Sequence, residues 1–486
     1  MTRVVMLGVS GLDADLLRVY GPSLPDLRRL LLQSPFLEMR SCFPPEPAPA
    51  WASIYTGLHP ANHGILRRVD SLQNGSDTPC GCSVRPCQHH SIHGHPQEAS
   101  LLGAVSRIPH METFWSEASR AGKRVCIVNP LLTFPAEVVN GLVLTQPFSG
   151  SNIEMTDAMS VPSMRQLEAF CASLQTQTLQ QAAMALELYH REAWDLFFIQ
   201  LDALDHAQHF LWRYSDPGDP TYPGRNQYAS RILEFYRLFD EIIGRFRRCV
   251  PPDCVLLVVS GHGHGRRCAY RLHINEWLRT QGLLVAQERL QDMLPRLARH
   301  LPGGGSRHHQ VASINQQASA ARLVELAGIS PFGGISLNKD ALTRRGESYK
   351  RARDSLLQKL LQLRVKGSSV VNWARTREEL RDGAFITRYP DIIFELRSDF
   401  GVAGNLFVPL VTPDTAHRVI SGGHTAQGVL LMEHVPGFMD IQEGIQEPTV
   451  MDVAPTVLQL LGLSLEEGIK HDGKSLVSPQ RVGQLI

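Results

Sequence analysis

The stretch WDLFFIQLDALDHAQHFLWRY, residues 194–214, predicts a buried strand that leads into a polar segment, and it indicates the fold. Its first part, WDLFFIQL at 194–201, is apolar without alternation, which is typical of a strand buried on both faces of a sheet. Polar residues follow this strand at once. Six other runs share the unbroken apolar character, at residues 3–9, 124–129, 141–146, 254–260, 391–396 and 428–434.

Helical patterns lie between several of these apolar runs, for example at 22–33, 111–123 and 231–248. Strands that alternate with helices predict an α/β fold with a mostly parallel central sheet and helices on both faces. Near the carboxyl end, Thr449 and Asp452 are spaced like a capping box, with Asp in the place of Glu, so they predict the start of a closing helix.

Two regions interrupt the alternation of strands and helices. Residues 67–106 form a polar insert rich in Gly, Cys and His, and residues 286–385 are strongly charged and helical in pattern. We therefore predict an α/β core made of residues 1–285 and 386–486. The segment 286–385 is predicted to be a smaller subdomain inserted into this core as a cap.

The composition excludes several classes of protein. The chain has 486 residues, of which 43% are hydrophobic. Its net charge is only +1, so the chain is not basic enough to resemble a nucleic-acid binder. No apolar run is long enough to cross a membrane. The first strand is also too short for the apolar part of a signal peptide, so we expect a cytoplasmic protein without a membrane partner. The chain has nine cysteines, an odd number, and Cys126, Cys171 and Cys254 stand singly in apolar contexts, which favours free buried thiols.

Polar residues that follow the predicted strands indicate a metal site. Asp205 and His209 are spaced i, i+4 after the strand 194–201, so on a helix they share one face. His262 and His264 follow another strand, and His424 precedes a third. Ligands of parallel α/β sheets bind beyond the carboxyl ends of the strands, and imidazole with carboxylate suits zinc, iron or manganese.

The order of these residues resembles the alkaline phosphatase superfamily, and within it the type I phosphodiesterase/nucleotide pyrophosphatase branch. The resemblance extends over nearly the whole chain. It is carried by PAWASIYTGLHPANHGI at 49–65, ETFWSEASRAGKRVCIVNPLLTFP at 112–135, LDHAQHFLWRYSDP at 204–217 and GGHTAQGVLL at 422–431. Members of the family use two zinc ions and a Thr or Ser nucleophile that forms a covalent phospho-enzyme. The resemblance therefore implies a metal-dependent hydrolase.

The resemblance implies that one of the two zinc sites is kept. Asp205, His209 and His424 fall on the three protein ligands of the zinc that activates water. Of the ligands of the other zinc, only His262 matches. Zinc is the metal that the family implies, and the residues by themselves also allow iron or manganese.

Three departures from the family fall on the other zinc site. Ser10 and Gly261 stand where the family has Asp ligands, and Pro47 stands where it has the hydroxyl nucleophile. Proline has no hydroxyl, and the two lost carboxylates leave too few ligands to hold an ion. We therefore expect the two-metal covalent mechanism to be lost.

The sequence offers only weak candidates to replace the nucleophile, and it does not identify the catalytic residues. Glu46 is a general base, a metal ligand or simply a loop residue, and Ser53 is either a hydroxyl stand-in or a structural residue of the following helix. The insert at 80–96 is a flexible loop, a small zinc clasp or an addition to the active site. Its candidate ligands are Cys80, Cys82, Cys87 and His89.

Three functional hypotheses follow from these residues. The first is a single-metal hydrolase of phosphoesters or related small molecules that works without the usual nucleophile. The second is a pseudoenzyme that binds a ligand or a partner protein, and the third is a biosynthetic metalloenzyme with different chemistry. A protein partner or a homo-oligomer is compatible with all three, and the sequence does not choose the substrate.

Overall fold

The structure is a computed structural model, and it describes most of the chain. The insert at 67–106, with the proposed zinc ligands Cys80, Cys82, Cys87 and His89, lies outside the described residues. The described residues are 2–66, 112–133, 136–145, 166–287, 313–326, 330–435, 439–441, 447–463 and 470–479. They form two compact units, of which the second is Arg267–His417 and the first is the remainder.

A seven-stranded sheet forms the centre of the first unit, in the order β2-β20-β6-β1-β5-β3-β4. The pairs from β6 to β4 are parallel, whereas β20 is antiparallel to both β2 and β6. The predicted mostly parallel sheet is therefore confirmed. The strands are β1 Arg3–Val9, β2 Phe36–Arg40, β3 Val125–Val128, β4 Gly141–Leu144, β5 Leu196–Leu201, β6 Cys254–Ser260 and β20 Gln427–Glu433.

Both faces of this sheet are buried because successive side chains of a strand point to opposite sides. In β1, Val5 and Leu7 belong to one hydrophobic cluster, whereas Val4 and Met6 belong to the other. Helices cover both clusters, as the unbroken apolar runs predict. Up to residue 249, the α-helices of the described residues are α1 Ala14–Tyr20, α2 Pro25–Gln33, α3 Pro47–Thr56, α4 Pro60–His63, α5 Phe114–Arg120, α6 Leu167–Arg191, α7 Ala203–Ser215 and α8 Arg231–Cys249.

The second unit, Arg267–His417, contains the predicted insertion and extends beyond it at both ends. The run at 391–396 forms a strand of this unit and does not join the central sheet. The sequence could not show this, because buried apolar runs look alike in different sheets. The region predicted to be helical also contains strands. Sheets β11-β12-β16-β15 and β17-β8-β18 pack around one core. The elements are β8 Tyr270–His273, α9 Ile274–Thr280, β9 Ala286–Gln287, β10 Ser313–Ile314, β11 Ala321–Glu325, β12 Phe332–Leu337, α10 Lys339–Arg344, α11 Tyr349–Leu361, β13 Arg364–Val365, β14 Ser368–Ser369, β15 Val371–Thr376, β16 Ile392–Leu396, β17 Phe400–Ala403 and β18 Val411–Pro413.

The remaining elements of the first unit include a two-stranded ribbon, β7 paired with β19, beside α7. Gly422 in β19 allows this close approach, since a Cβ there would meet the Gln208 carbonyl of α7 and lie 2.6 Å from His264 Cε1. None of the helices in the described part of the chain has the length and hydropathy of a membrane span. These elements are β7 Gly263–Arg266, β19 Gly422–Thr425, β21 Met439–Ile441, α12 Val453–Leu460 and β22 Val477–Pro479.

Candidate metal centre

Four side chains of the first unit converge beside the carboxyl ends of β5 and β6. Asp205 and His209 lie one turn apart on α7, and His264 and His424 are directly opposite each other in the β7–β19 ribbon. One donor atom from each of the four lies within 4.8 Å of the others. Sequence separation hides this grouping, because the ribbon pairs two segments that are far apart in the chain.

The distances between donor atoms match those of a tetrahedral site. His209 Nε2 lies 3.0 Å from His424 Nε2 and 3.6 Å from Asp205 Oδ2. Asp205 Oδ1 lies 3.2 Å from His424 Nε2 and 3.4 Å from His264 Nε2. Ligands that bind zinc tetrahedrally at about 2.0–2.1 Å are roughly 3.3–3.4 Å apart. These four pairs of atoms therefore lie close to the spacing of two ligands on one ion.

Hydrogen bonds at the other ring nitrogens orient two of the imidazoles. His209 Nδ1 donates to the Gly422 carbonyl oxygen at 3.0 Å, and His424 Nδ1 faces Glu46 Oε1 at 3.3 Å. A proton on Nδ1 leaves the lone pair on Nε2, which is the atom that points into the group. Carbonyl and carboxylate partners of this kind fix the tautomer of histidines that bind metals.

Several buried polar atoms in the group have no hydrogen-bond partner. They include Asp205 Oδ1 and both ring nitrogens of His264, on residues that are 4% and 2% exposed. A buried polar atom without a partner costs on the order of 1–3 kcal/mol. A metal ion that binds Asp205 Oδ1 and His264 Nε2 would satisfy two of these atoms.

The carboxylates of Asp205 and Glu46 both act on the imidazole of His424. Burial opposes ionisation of Asp205, but His209 and His424 outweigh it and hold the pKa of this carboxyl well below its usual range. Burial lowers the pKa of His424, but Glu46 and Asp205 outweigh it and raise the pKa to about 10. The two carboxylates therefore favour the protonated form of His424. A metal ion bound at Nε2 would displace a proton from this ring.

Glu46 lies at the edge of the group. It is the N-cap residue of α3, but its side chain makes no capping bond and instead faces His424. The side chain is 23% exposed, so water can reach the carboxylate. Of the three interpretations of Glu46 open at the level of sequence, this contact favours a role in the site.

The three positions that are predicted to depart from the family, Ser10, Gly261 and Pro47, take part in other interactions. Ser10 Oγ donates to Asp202 and accepts from Trp51 Nε1 at 3.0 Å. The Gly261 carbonyl oxygen accepts from Ser41 Oγ at 2.6 Å, and Pro47 is the first residue of α3. These positions therefore take part in local packing and hydrogen bonding, and none of them offers a donor to the group of four.

Of the four residues predicted to bind metal, His262 lies outside the group. Its Nδ1 donates to the Gly263 carbonyl oxygen at 3.1 Å, and its ring centroid is 4.4 Å from that of His424. Burial, and secondarily His424, lower its pKa to about 4. The fourth member of the group is His264 instead. Alternation along a strand puts His262 and His264 on one side, but only the pairing of β7 with β19 selects His264.

Ser53, the weak stand-in for the nucleophile, pairs with a histidine that cannot serve as its base. Ser53 Oγ and His63 Nε2 are 3.0 Å apart, while His63 Nδ1 accepts from the Ile65 backbone N–H at 3.1 Å. The proton of the ring is therefore on Nε2, which donates to Ser53. The pair holds the second half of α3 against the α4 turn.

The buried His63 predicts a specific dependence of stability on pH. Burial, and secondarily His59, lower its pKa to about 3, whereas an unfolded histidine has a pKa near 6.5. The unfolded chain binds this proton first, so the contribution is complete above pH 6.5 and is lost as the pH falls towards 3. We expect His63→Gln to reduce the slope of the free energy of unfolding in this window by about 1.4 kcal/mol per pH unit. Urea titrations between pH 4 and 7 measure this slope.

The control for this prediction is His190→Gln, which removes an exposed histidine from α6. It should leave the slope unchanged. Equal slopes for His63→Gln and the wild type would show that His63 is not held neutral in the folded state.

Comparison with known proteins agrees with this fold. The fold is that of the alkaline phosphatase superfamily, and the Asp/His group is its candidate metal site. Residues 4–407 match the family model of type I phosphodiesterase/nucleotide pyrophosphatase, so the chain belongs to this family. The resemblance stated from the sequence is confirmed. No curated protein matches the sequence.

Solved structures share the fold over nearly their whole length. A phosphonoacetate hydrolase from Sinorhizobium meliloti 1021, in complex with phosphonoformate, is 13% identical with a TM-score of 0.55, and the match covers 95% of this chain and 96% of that one. An inactive variant of murine ectonucleotide pyrophosphatase/phosphodiesterase 5, in complex with AMP, is 13% identical with a TM-score of 0.52, covering 98% and 100%. At these identities the likeness shows the fold alone.

Proposed function

We propose that this chain hydrolyses phosphoesters or related anions with one metal ion and without a covalent intermediate on a hydroxyl side chain. The observation that carries the proposal is the position of Glu46. Its carboxylate contacts the metal-binding group through His424 and directly precedes Pro47, the position where the family has its nucleophile. A base is thus available beside the metal group where the family's hydroxyl is missing.

The residues present fit a divalent ion. Asp205 Oδ1 is buried without a hydrogen-bond partner, His424 Nε2 lies 3.2 Å from it, and His209 Nε2 lies 3.6 Å from Asp205 Oδ2. Asp205, His209 and His424 would hold the ion, and their nitrogen and oxygen donors suit zinc, iron or manganese. Such an ion supplies Lewis-acid polarisation of a phosphoryl oxygen and lowers the pKa of water.

In the proposed reaction, Glu46 acts as the general base. His424 Nδ1–H holds Glu46 Oε1, which leaves Oε2 free to accept a proton from water. The water oxygen forms a bond to phosphorus as the bond from phosphorus to the ester oxygen breaks. The departing oxygen takes a proton from solvent. Pro47 has no hydroxyl, so this single displacement replaces the two steps of the family.

Glu46→Gln tests this role. The amide keeps the shape but cannot accept the proton, so we expect kcat for the hydrolysis of aryl phosphates or phosphodiesters to fall by about 10²–10⁴-fold. The metal content should stay at the wild-type level. The matched control is Glu38→Gln on β2, whose carboxylate pairs with Arg18, and which should leave kcat unchanged.

The stereochemistry at phosphorus provides a second measurement of the same proposal. One direct displacement inverts the configuration of a chiral phosphorothioate ester, whereas two displacements through a phospho-enzyme retain it. We therefore expect inversion. Retention, or a phosphorylated side chain trapped by rapid acid quench, would contradict the proposal.

A non-catalytic metal-binding protein is the second candidate, and the packing around Gly261 favours it. A Cβ at Gly261 would lie 3.0 Å from Ala50 Cβ and 3.2 Å from Ile54 Cδ1, so α3 occupies the space that an Asp ligand would need. The packing at Gly261 therefore leaves little room for a larger side chain at this position. One bound metal without turnover of aryl phosphates, phosphodiesters or phosphonates would support this candidate. Bound iron would instead favour the biosynthetic metalloenzyme.

A further inference from the structure

We propose that His264 is a fourth protein ligand, which turns one half of the family's two-metal site into a self-sufficient centre for a single ion. This inference deepens the proposed function and rests on the same site. The resemblance assigns three protein ligands to this ion, namely Asp205, His209 and His424. His264 adds a third imidazole, and it does so in a chain that has lost the neighbouring ion's ligands.

The geometry of His264 supports this role. Its Nε2 lies 3.4 Å from Asp205 Oδ1, which is the spacing of two donors on one tetrahedral ion. Its ring centroid is 4.6 Å from that of His209 and 5.7 Å from that of His424. The side chain of His264 is therefore in contact with the other three members of the group.

The surroundings of His264 hold the ring in place without using its nitrogen atoms. The indole of Trp212 stacks on the ring at a centroid distance of 5.8 Å, and Asp13 Oδ2 accepts the His264 backbone N–H at 3.2 Å. Both ring nitrogens are nevertheless buried without a hydrogen-bond partner. Buried histidine nitrogens normally have such partners, and a metal cation shared with Asp205, His209 and His424 would provide one for Nε2.

His262 provides the matched comparison because it is also a buried histidine, two residues earlier, with an Nε2 atom that lacks a hydrogen-bond partner. It differs in one respect that matters here. The donor atoms of His264 fall within the group of four, and those of His262 do not. Variants at the two positions therefore separate metal ligation from the general effect of removing a buried imidazole.

The first experiment measures metal stoichiometry and affinity on the full chain with zinc and cobalt(II). We expect one ion per chain in the wild type and in His262→Leu, with similar affinities in competition with a chelator. His264→Leu, which keeps an apolar side chain of similar volume, should lower the affinity by at least about 10-fold, as the loss of a metal-site partner does. Equal affinity for His264→Leu and the wild type would overturn the proposal, and so would an equal loss in His262→Leu.

The second experiment does not depend on how well the leucine variant folds. In His264→Cys the thiolate would bind cobalt(II) directly and produce a sulfur-to-metal charge-transfer band in the near ultraviolet. His262→Cys should produce no such band. A band for His262→Cys, or none for a folded His264→Cys that still binds cobalt(II), would contradict the assignment.

These measurements are independent of turnover. A protein that ligates one ion through His264 but hydrolyses nothing would leave this inference intact and refute the hydrolase. A protein that hydrolyses phosphoesters but binds metal normally after His264→Leu would support the hydrolase and refute this inference.

Discussion

Asp205→Asn is expected to abolish tight metal binding. Asp205 is the only carboxylate among the four converging side chains, and it lies within 3.6 Å of a donor nitrogen of all three histidines. The substitution keeps the size of the side chain but removes the negative charge that attracts the ion. Because the loss of even an outer partner of a metal site costs 10–100-fold in affinity, we expect a loss of about 100-fold or more.

Thermal unfolding provides a sensitive measurement of this loss. An ion that binds only the folded state, at a free concentration about 1,000 times its Kd, stabilises it by about 4 kcal/mol. A chelator should therefore lower the melting temperature of the wild type and leave that of Asp205→Asn unchanged. His206→Ala, on the same helix but outside the group of four, should respond like the wild type. A chelator-sensitive Asp205→Asn would mean that the ion binds elsewhere.

Gly422→Ala is expected to destabilise the protein and to weaken metal binding together. The added Cβ would meet the backbone carbonyl of Gln208 and lie 2.6 Å from His264 Cε1, and neither neighbour is the free end of a flexible chain. Overpacking of this kind typically costs about 1–3 kcal/mol. The displaced strand also carries His424 and the carbonyl oxygen that orients His209, so both ligands would move.

Gly265→Ala is the control for this prediction. Gly265 belongs to the same ribbon, but its added Cβ would meet only the Thr425 methyl group at 3.1 Å, which can shift. Urea midpoints and chelator competition on both variants separate the two effects. If Gly422→Ala and Gly265→Ala lose the same stability and the same affinity, the close approach of β19 to α7 does not control the site.

Much of the fold could be predicted because its signals are local. The run at 194–201 forms β5, and the capping box of Thr449 and Asp452 is present at the start of the closing helix. The run at 391–396 shows the limit of such signals. It is a strand as predicted, but it pairs with β12 and β15 in the second unit, because burial on both faces is common to strands of different sheets.

The candidate site also has residues that the sequence could predict and one residue that it could not. Asp205 and His209 could be paired from sequence because both lie on one face of a single helix, where a spacing of four residues brings side chains together. His424 was a candidate because it precedes a predicted strand, and the resemblance to the family assigned it to the same ion as Asp205 and His209. The choice between His262 and His264 could not be made, because it depends on which residue of β7 lies opposite His424.

The amino-acid sequence by itself determined the α/β class and the family, since these depend on local patterns and on the order of motifs, and it predicts the loss of the nucleophile at Pro47. The tertiary structure decided that His264 joins the candidate metal group and that Glu46 contacts His424. The physical reason is the antiparallel pairing of β7 with β19 and the packing of that ribbon against α7. Contacts between segments so distant in the chain are set by the packing of the whole unit, and no local pattern records them.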